Sequence, residues 1–223
     1  MLTRLVIFGG PGDGDVVAET VRAAGAGGSD LTLHGFLNDV LPVGALVAGA
    51  PVLGKFEDWA SLPEDLLFIP VNHRVENKPA RVTRMRSLCV PKARWATVVH
   101  PTACIAPSVV LGPGSYVASF VSIQPGANIG SCVSIRAGAN IGHDSCVGDF
   151  AYIGPNASLC GNSIVKEGAH VAPNAVLLER RTVGRFSVVG IGAAVMKNVE
   201  DYTVVIGNPA RKLSVVCRSV DDQ

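Results

Sequence analysis

The chain has 223 residues, room for one large or two modest domains, and a formal net charge of +1 with no block of like charges. Lacking a basic or acidic footprint, it is not expected to bind nucleic acid or an anionic membrane surface. Mean hydropathy is high at +0.36, yet no stretch approaches the ~18 unbroken apolar residues of a membrane helix, and the N-terminus shows no signal-peptide cleavage pattern. A cytoplasmic protein without membrane insertion is expected.

Residues 1–99 alternate strand-like and helix-like runs. A strand at Leu5–Phe8 leads into Gly9-Gly10-Pro11-Gly12-Asp13-Gly14, then a helix at about 15–24 and a second strand at Leu31–Phe36. Strand-like runs at Leu66–Val71 and Trp95–Val99 bracket a helical stretch near Asn77–Leu88. This alternation argues for an α/β unit, a small parallel sheet flanked by helices. A glycine-rich turn between strand and helix lets backbone N–H groups meet a phosphate at the helix N-terminus. An acidic residue after the second strand commonly contacts a ribose or base, and Asn38-Asp39 stands there. The glycine pattern alone is weakly specific.

From Ile105 to Val195 every sixth residue is Ile, Leu or Val. Four places after each comes a Val, Ala or Ser, with Arg181 the sole exception. In an extended strand the small residue and the next aliphatic lie two positions apart and point to the same side. Turn pairs such as Pro113-Gly114, Pro125-Gly126 and Pro155-Asn156 separate the strands. Three strands and three bends make one coil of a triangular prism, all-β and parallel, with about five coils stacked ~4.8 Å apart. The six cysteines include no C-x-x-C pair, so reduced, mostly buried thiols are expected rather than a zinc or redox site.

Runs such as Ile129-Gly130-Ser131-Cys132-Val133-Ser134 resemble the hexapeptide repeat of the left-handed β-helix acyltransferases, over about residues 100–213. The loop Gly9–Gly14 together with Gly35-Phe36-Leu37-Asn38-Asp39 resembles the sialic-acid and bacillosamine acetyltransferase-like group. The resemblance implies three segments: a Rossmann-like domain (1–99) holding a nucleotide-linked sugar through Gly9, Gly12, Asp13, Gly14, Asn38 and Asp39; a left-handed parallel β-helix acyltransferase domain (100–213); and a polar tail (214–223). It also implies a homotrimer with sites between subunits and acetyl-CoA as co-substrate. Tyr152, Gly161, Gly190 and the closing segment Gly207, Pro209, Ala210 and Arg211 would lie beside the coenzyme. Four places depart from the group: Asp13 replaces a usual His, Asn38 a usual acid, Arg136 a usual Asn, and Pro70-Val71-Asn72 lacks the glycine usual after the third strand. The Arg136 guanidinium would meet an acceptor carboxylate or phosphate, or form a solvated corner.

Acyl transfer from a thioester needs a base for the incoming amine or hydroxyl, and an imidazole oriented by a carboxylate suits that task. Ile141-Gly142-His143-Asp144 resembles the group's catalytic segment and falls at a bend of the hexad frame. His143 is therefore the expected base and Asp144 its orienting partner, with Pro125-Gly126 and Gly161-Asn162 one coil away leaving room for a substrate. Only His143 and His170 lie within the coils, too few for a three-histidine zinc centre, so no metal is expected. The expected activity is N-acetylation of a nucleotide-linked amino sugar. The alternatives are O-acetylation of a sialic-acid-like sugar and a non-catalytic β-helix scaffold.

Overall fold

The computed structural model describes residues 2–71 and 74–217. The N-terminal part comprises β1 (Thr3–Phe8), α1 (Asp13–Ala26), β2 (Leu31–Leu37), β3 (Leu46–Val47), β4 (Ala50–Gly54), β5 (Leu67–Pro70) and α2 (Lys78–Ser87). They form a sheet of order β3-β4-β2-β1-β5, parallel except between β3 and β4. Leu5, Val6, Ile7 and Phe8 of β1 are all fully buried, as suits a central strand covered on both faces. One cover is the apolar stripe Val17, Ala18, Val21 and Ala24 of α1. On the other side Phe8 packs against Phe56 and Phe68, with ring centroids 5.2 and 5.3 Å away.

One element was not foreseen and one expectation needs correcting. The hairpin of β3 and β4 is not evident from sequence, because its Pro- and Gly-rich run reads as loop and buries only Val47, Ala50, Val52 and Gly54. Trp95–Val99 is not a strand of the N-terminal sheet: Trp95 makes one isolated bridge to Phe68, while Val98–Val99 pairs with Tyr116–Val117. The reason lies in the hexad frame, since Val99 stands six residues before Ile105 and joins the same aliphatic series.

From Val98 onward the chain winds round three parallel faces. The first belongs to an eight-stranded sheet and carries Tyr116–Val117, Ser134–Ile135, Tyr152–Ile153, His170–Val171 and Val188–Val189. The second, six-stranded, carries Ser122–Ile123, Asn140–Ile141, Ser158–Leu159 and Val176–Leu177. The third, five-stranded, carries Asn128–Ile129, Cys146–Val147 and Ile164–Val165. The second residue of each of these pairs is buried in the prism, and each such aliphatic contributes about 1.5–3 kcal/mol. The small series fills the corners. Where it is serine, the hydroxyl is satisfied by a neighbouring coil: Ser115 Oγ donates to the Gly130 carbonyl (2.9 Å) and accepts from Val133 N–H (3.1 Å).

Thr203–Ile206 closes the first face and pairs antiparallel with Arg211–Val215, a strand that continues past residue 213, where the sequence places the start of the tail. Residues 218–223 of that tail, like Asn72 and His73, lie outside the described residues. None of the six cysteines is in a disulfide, but the expectation of mostly buried thiols fails: Cys132 is buried, Cys160 half-buried, and Cys89, Cys104, Cys146 and Cys217 are exposed. In the hexad frame Cys104 and Cys146 precede an aliphatic and so face outward. Among the described residues no helix is long and apolar enough to cross a membrane.

The N-terminal part covers the first face of the prism. Thr20 of α1 meets the Tyr116 hydroxyl (2.9 Å), Arg86 of α2 ion-pairs with Glu167, and Val82 packs with Phe186 and Tyr202.

Candidate active site

His143 and Asp144 occupy the corner between the second and third faces. His143 Nδ1 lies 2.8 Å from Asp144 Oδ2, with both side chains more than half exposed. The turn is fixed from both neighbouring coils, since Asp144 N–H donates to the Pro125 carbonyl (3.0 Å) and Asn162 N–H to the His143 carbonyl (2.8 Å). Donation from Nδ1 to the carboxylate leaves Nε2 with its lone pair free to accept a proton.

The flanking glycines act differently from what the sequence implies. Rather than leaving an open space, they seat the pair. A Cβ on Gly161 would stand 2.4 Å from His143 Nε2, and one on Gly126 would stand 2.2 Å from Asp144 Oδ1. Gly161→Ala should therefore turn the exposed imidazole aside without disturbing the core. Turnover is expected to fall ~10-fold or more, as misplaced catalytic groups do, with an unchanged melting temperature; parental turnover in this variant would show that the ring's seat is immaterial.

In the N-terminal part α1 starts at Asp13, so the loop is shorter than expected and Asp13 and Gly14 belong to the helix's first turn. The glycines there meet packing demands: a Cβ at Gly9 would collide with Val71 and one at Gly10 with Asn38, while Gly12 has a φ of 91°. Gly14 is buried, with Phe36 3.0 Å from the place its Cβ would take. Gly12 N–H is capped by Asp15 Oδ2 (2.8 Å). Asn38 spans the crevice between the turns that follow β1 and β2, at the carboxyl ends of the strands, donating to the Gly9 carbonyl (2.9 Å) and accepting from the N–H groups of Val40 and Leu41 (2.9 and 2.7 Å). Asp39 accepts from Phe56 N–H (2.9 Å) and from Arg84 (2.9 Å). Both side chains thus shape the crevice through bonds within the chain.

Arg136 is not a solvated corner. Its side chain is 11% exposed, pairs with Asp13 Oδ1 at 3.0 Å and lies 5.6 Å from the Tyr116 ring centre. Tyr152 sits on the same covered face, stacked on His170 with ring centroids 4.3 Å apart, away from the His143 corner. Lys78, at the start of α2, is also buried here. Burial, reinforced by the Arg81 charge, lowers the Lys78 ammonium to about 8, and burial with the Lys78 charge lowers His170 to about 4. Burial raises both Tyr116 and Tyr152. Lys78 escaped the sequence reading, and His170 entered it only as the second histidine within the coils. The hexad frame marks His170 as outward-facing, but nothing local says that the N-terminal part covers it.

His170 makes stability acid-sensitive. Between its ordinary value of 6.5 and about 4 the unfolded chain binds a proton that the folded chain refuses. Its contribution is complete above pH 6.5 and is lost as pH falls towards 4. His170→Phe keeps the ring stack and should reduce the acid-dependent loss by about 1–2 kcal/mol after discounting for residual exposure. Urea unfolding at neutral and acidic pH measures this; an identical loss in both proteins would contradict it.

The remaining expected coenzyme contacts are dispersed. Gly190 N–H donates to the Val205 carbonyl (2.8 Å), so that donor is committed to the coil ladder. Gly207, Pro209 and Ala210 form the turn before the last strand, where Ala210 N–H donates to the Ala194 carbonyl (2.8 Å) and Arg211 is exposed. On one chain, then, His143, Asp144 and Gly161 come together, whereas Tyr152, Gly190 and the Gly9–Gly14 loop lie elsewhere. The crevice belongs to the part that covers the first face, and His143 stands at the corner opposite that face.

No protein-family model matches the chain. Solved structures match it almost end to end. The acetyltransferase domain of PglB from Neisseria gonorrhoeae, solved with acetyl coenzyme A, is 28% identical, covers 96% of this chain and 100% of its own, and has a TM-score of 0.80. PerB from Caulobacter crescentus, solved with CoA and GDP-perosamine, is 28% identical over 96% and 99% of the two chains, with a TM-score of 0.81. WeeI from Acinetobacter baumannii is 26% identical over 95% and 100%, with a TM-score of 0.79. A curated relative from Aneurinibacillus thermoaerophilus, a dTDP-3-amino-3,6-dideoxy-α-D-galactopyranose 3-N-acetyltransferase, is 33% identical over 58 residues. That match spans 26% of this chain and 30% of the relative's length. In fold and in the plan of its two parts the chain is similar to these sugar acetyltransferases, with a left-handed β-helix that is an exception to the right-handed crossover rule.

Proposed function

We propose that the protein transfers the acetyl group of acetyl-CoA to the amino group of a nucleotide-linked amino sugar, with His143 as the base and Asp144 as its orienting partner. The observation that carries this reading is the His143–Asp144 hydrogen bond (2.8 Å) at an open corner, with Nε2 directed past Gly161. The full-length neighbours support it: one is solved with acetyl-CoA, another with CoA and GDP-perosamine. A histidine-to-alanine variant of the Caulobacter enzyme also holds CoA and GDP-perosamine, consistent with a histidine not needed for binding. N-transfer is favoured over O-transfer because the curated relative and the perosamine enzyme are both named N-acetyltransferases.

Acetyl-CoA supplies a thioester carbonyl for attack by the acceptor. The exposed corner beside Gly161 fits its reactive end, and exposed Arg211 suits one of its phosphates. Tyr152 and the Gly190 amide, one stacked under the N-terminal part and the other committed to Val205, are weaker candidates within a single chain. His143 Nε2 takes the proton that the amine sheds, and Asp144 holds the ring's orientation and supports its charge.

Because His143 stands opposite the face covered by its own crevice, the reading calls for a homotrimer in which one chain's corner serves another's acceptor. Exposed Phe120 and Ile191, Val176, and Leu178 and Met196 give the second face and its two corners an apolar surface for such packing. Residues 1–99 would hold the acceptor, 100–213 the donor, and 214–223 would form the tail. Cysteines outside any disulfide and the need for acetyl-CoA suit the cytoplasm. Light scattering should report a trimer; a fully active monomer would rule out a shared site. Thiol release from acetyl-CoA, followed across a panel of dTDP- and GDP-linked amino sugars, tests the reaction. Release that depends on one of these sugars is expected, and none with any of them would refute the reading.

A further inference from the structure

We propose that Arg136 selects an acceptor whose sugar ring carries a carboxylate, so that the substrate is a nucleotide-linked amino-uronate rather than a neutral amino sugar. This rests on the reading of the protein as a nucleotide-sugar N-acetyltransferase and narrows its substrate class.

The guanidinium of Arg136 is held on one side only. Its Nη2 pairs with Asp13 (3.0 Å), while its Nη1 is buried with no hydrogen-bond partner. Two further polar atoms of the same face, Ser134 Oγ and His170 Nδ1, are likewise buried and unpartnered, and their residues flank Tyr152 in strand register. Buried polar atoms left unpaired are costly, and three in one layer signal that something polar completes it. Among the described residues the covered face and its flanking corner hold the cations Arg136, Lys78, Arg86 and Arg185 against the carboxylates Asp13 and Glu167. The unmatched charge is positive.

Arg136 also lines a cavity of about 490 Å³ between α1 and the first coils, with Tyr116, Ser119, His100 and Thr20 around it. Glu19 contributes the cavity's one carboxylate among these described residues and is ion-paired to Arg22. A space of this size takes a monosaccharide, and the proposal requires the Arg136 side chain to turn so that its buried Nη1 meets the sugar. A carboxylate suits the unpartnered side of a guanidinium, whereas a methyl group would leave Nη1 unpaired. Asp13 keeps the guanidinium in place, so the two departures from the group's usual residues, at positions 13 and 136, act as one.

The anionic group has two possible sources, the sugar carboxylate and the nucleotide's diphosphate, and a calorimetric titration separates them. The probes are dTDP- and GDP-linked 4-amino-4,6-dideoxyhexoses, the corresponding 4-amino-4-deoxyhexuronates, and dTDP and GDP alone. The parent should bind the uronate ~10-fold or more tightly than its 6-deoxy counterpart, the worth of a charge-assisted bond. Arg136→Asn should abolish that preference while leaving dTDP and GDP binding unchanged. Asp13→His/Arg136→Asn, which restores the group's usual pair, should lose the preference too and guards against misfolding of the single variant. Equal parental affinity for the two sugars, or a preference that survives both variants, would overturn the proposal. Loss of dTDP or GDP binding in Arg136→Asn would overturn it too, by assigning Arg136 to the diphosphate. Failure of every sugar to be acetylated would refute the proposed reaction instead, since the binding preference is measured without turnover.

Discussion

His143→Ala should lower turnover by roughly 10²–10⁴-fold, the usual contribution of a positioned base, while folding and coenzyme binding persist. The side chain is 62% exposed at a corner, and its one side-chain partner, Asp144, is nearly as open, so its removal takes nothing from the aliphatic column. Asp144→Asn should cost less, because it weakens orientation and charge support but leaves the imidazole. It should still cost something beyond charge, since an amide presenting its NH₂ to Nδ1 would favour the wrong tautomer. Steady-state kinetics on a confirmed acceptor, with melting temperatures alongside, decide the matter. Near-parental turnover in His143→Ala would remove His143 from the chemistry whatever the acyl donor proves to be.

Ile141→Asp should prevent folding. Ile141 is fully buried and stacked in register between Ile123 and Leu159. A carboxylate there has no partner in the column and must stay charged at several kcal/mol or take up a proton. Either cost consumes much of the ~5–15 kcal/mol by which domains of this kind are stable. The proper control is Asn140→Asp, one residue earlier on the same strand and exposed, which should melt close to the parent. Gly142 does not serve as an outward-facing control, because a Cβ there would come within 2.6 Å of the Gly161 amide on the next coil. Equal melting of Ile141→Asp and the parent would mean that the aliphatic series does not form the core.

The prism was legible because its rule is local and repeated. An aliphatic every six residues, with a small partner two positions before the next, fixes which side chains point inward without knowledge of any distant contact. The His143–Asp144 pair was legible for the same reason, since adjacent residues on one turn share a corner. What lay hidden was the covering of the first face. Tyr152 and His170 fall at outward positions of the hexad, which in an isolated prism would be solvated. Only the packing of the N-terminal part half-buries them near the buried Lys78. The Asp13–Arg136 pair joins two parts far apart in the chain, and no short motif records it. Asn38 and Asp39 show the opposite limit: their position after β2 was evident, but their engagement with Gly9, Leu41, Phe56 and Arg84 depends on loops whose course the pattern does not specify.

The most direct measurement is a crystal structure of the assembled protein with CoA and an amino sugar that it acetylates. The amine should lie within about 2.6–3.2 Å of His143 Nε2, or one water away. That histidine should come from a different chain than the crevice holding the nucleotide. An amine placed beside His100 or His170, or a complete site formed by one chain alone, would contradict the assignment of His143 as the base of a shared site.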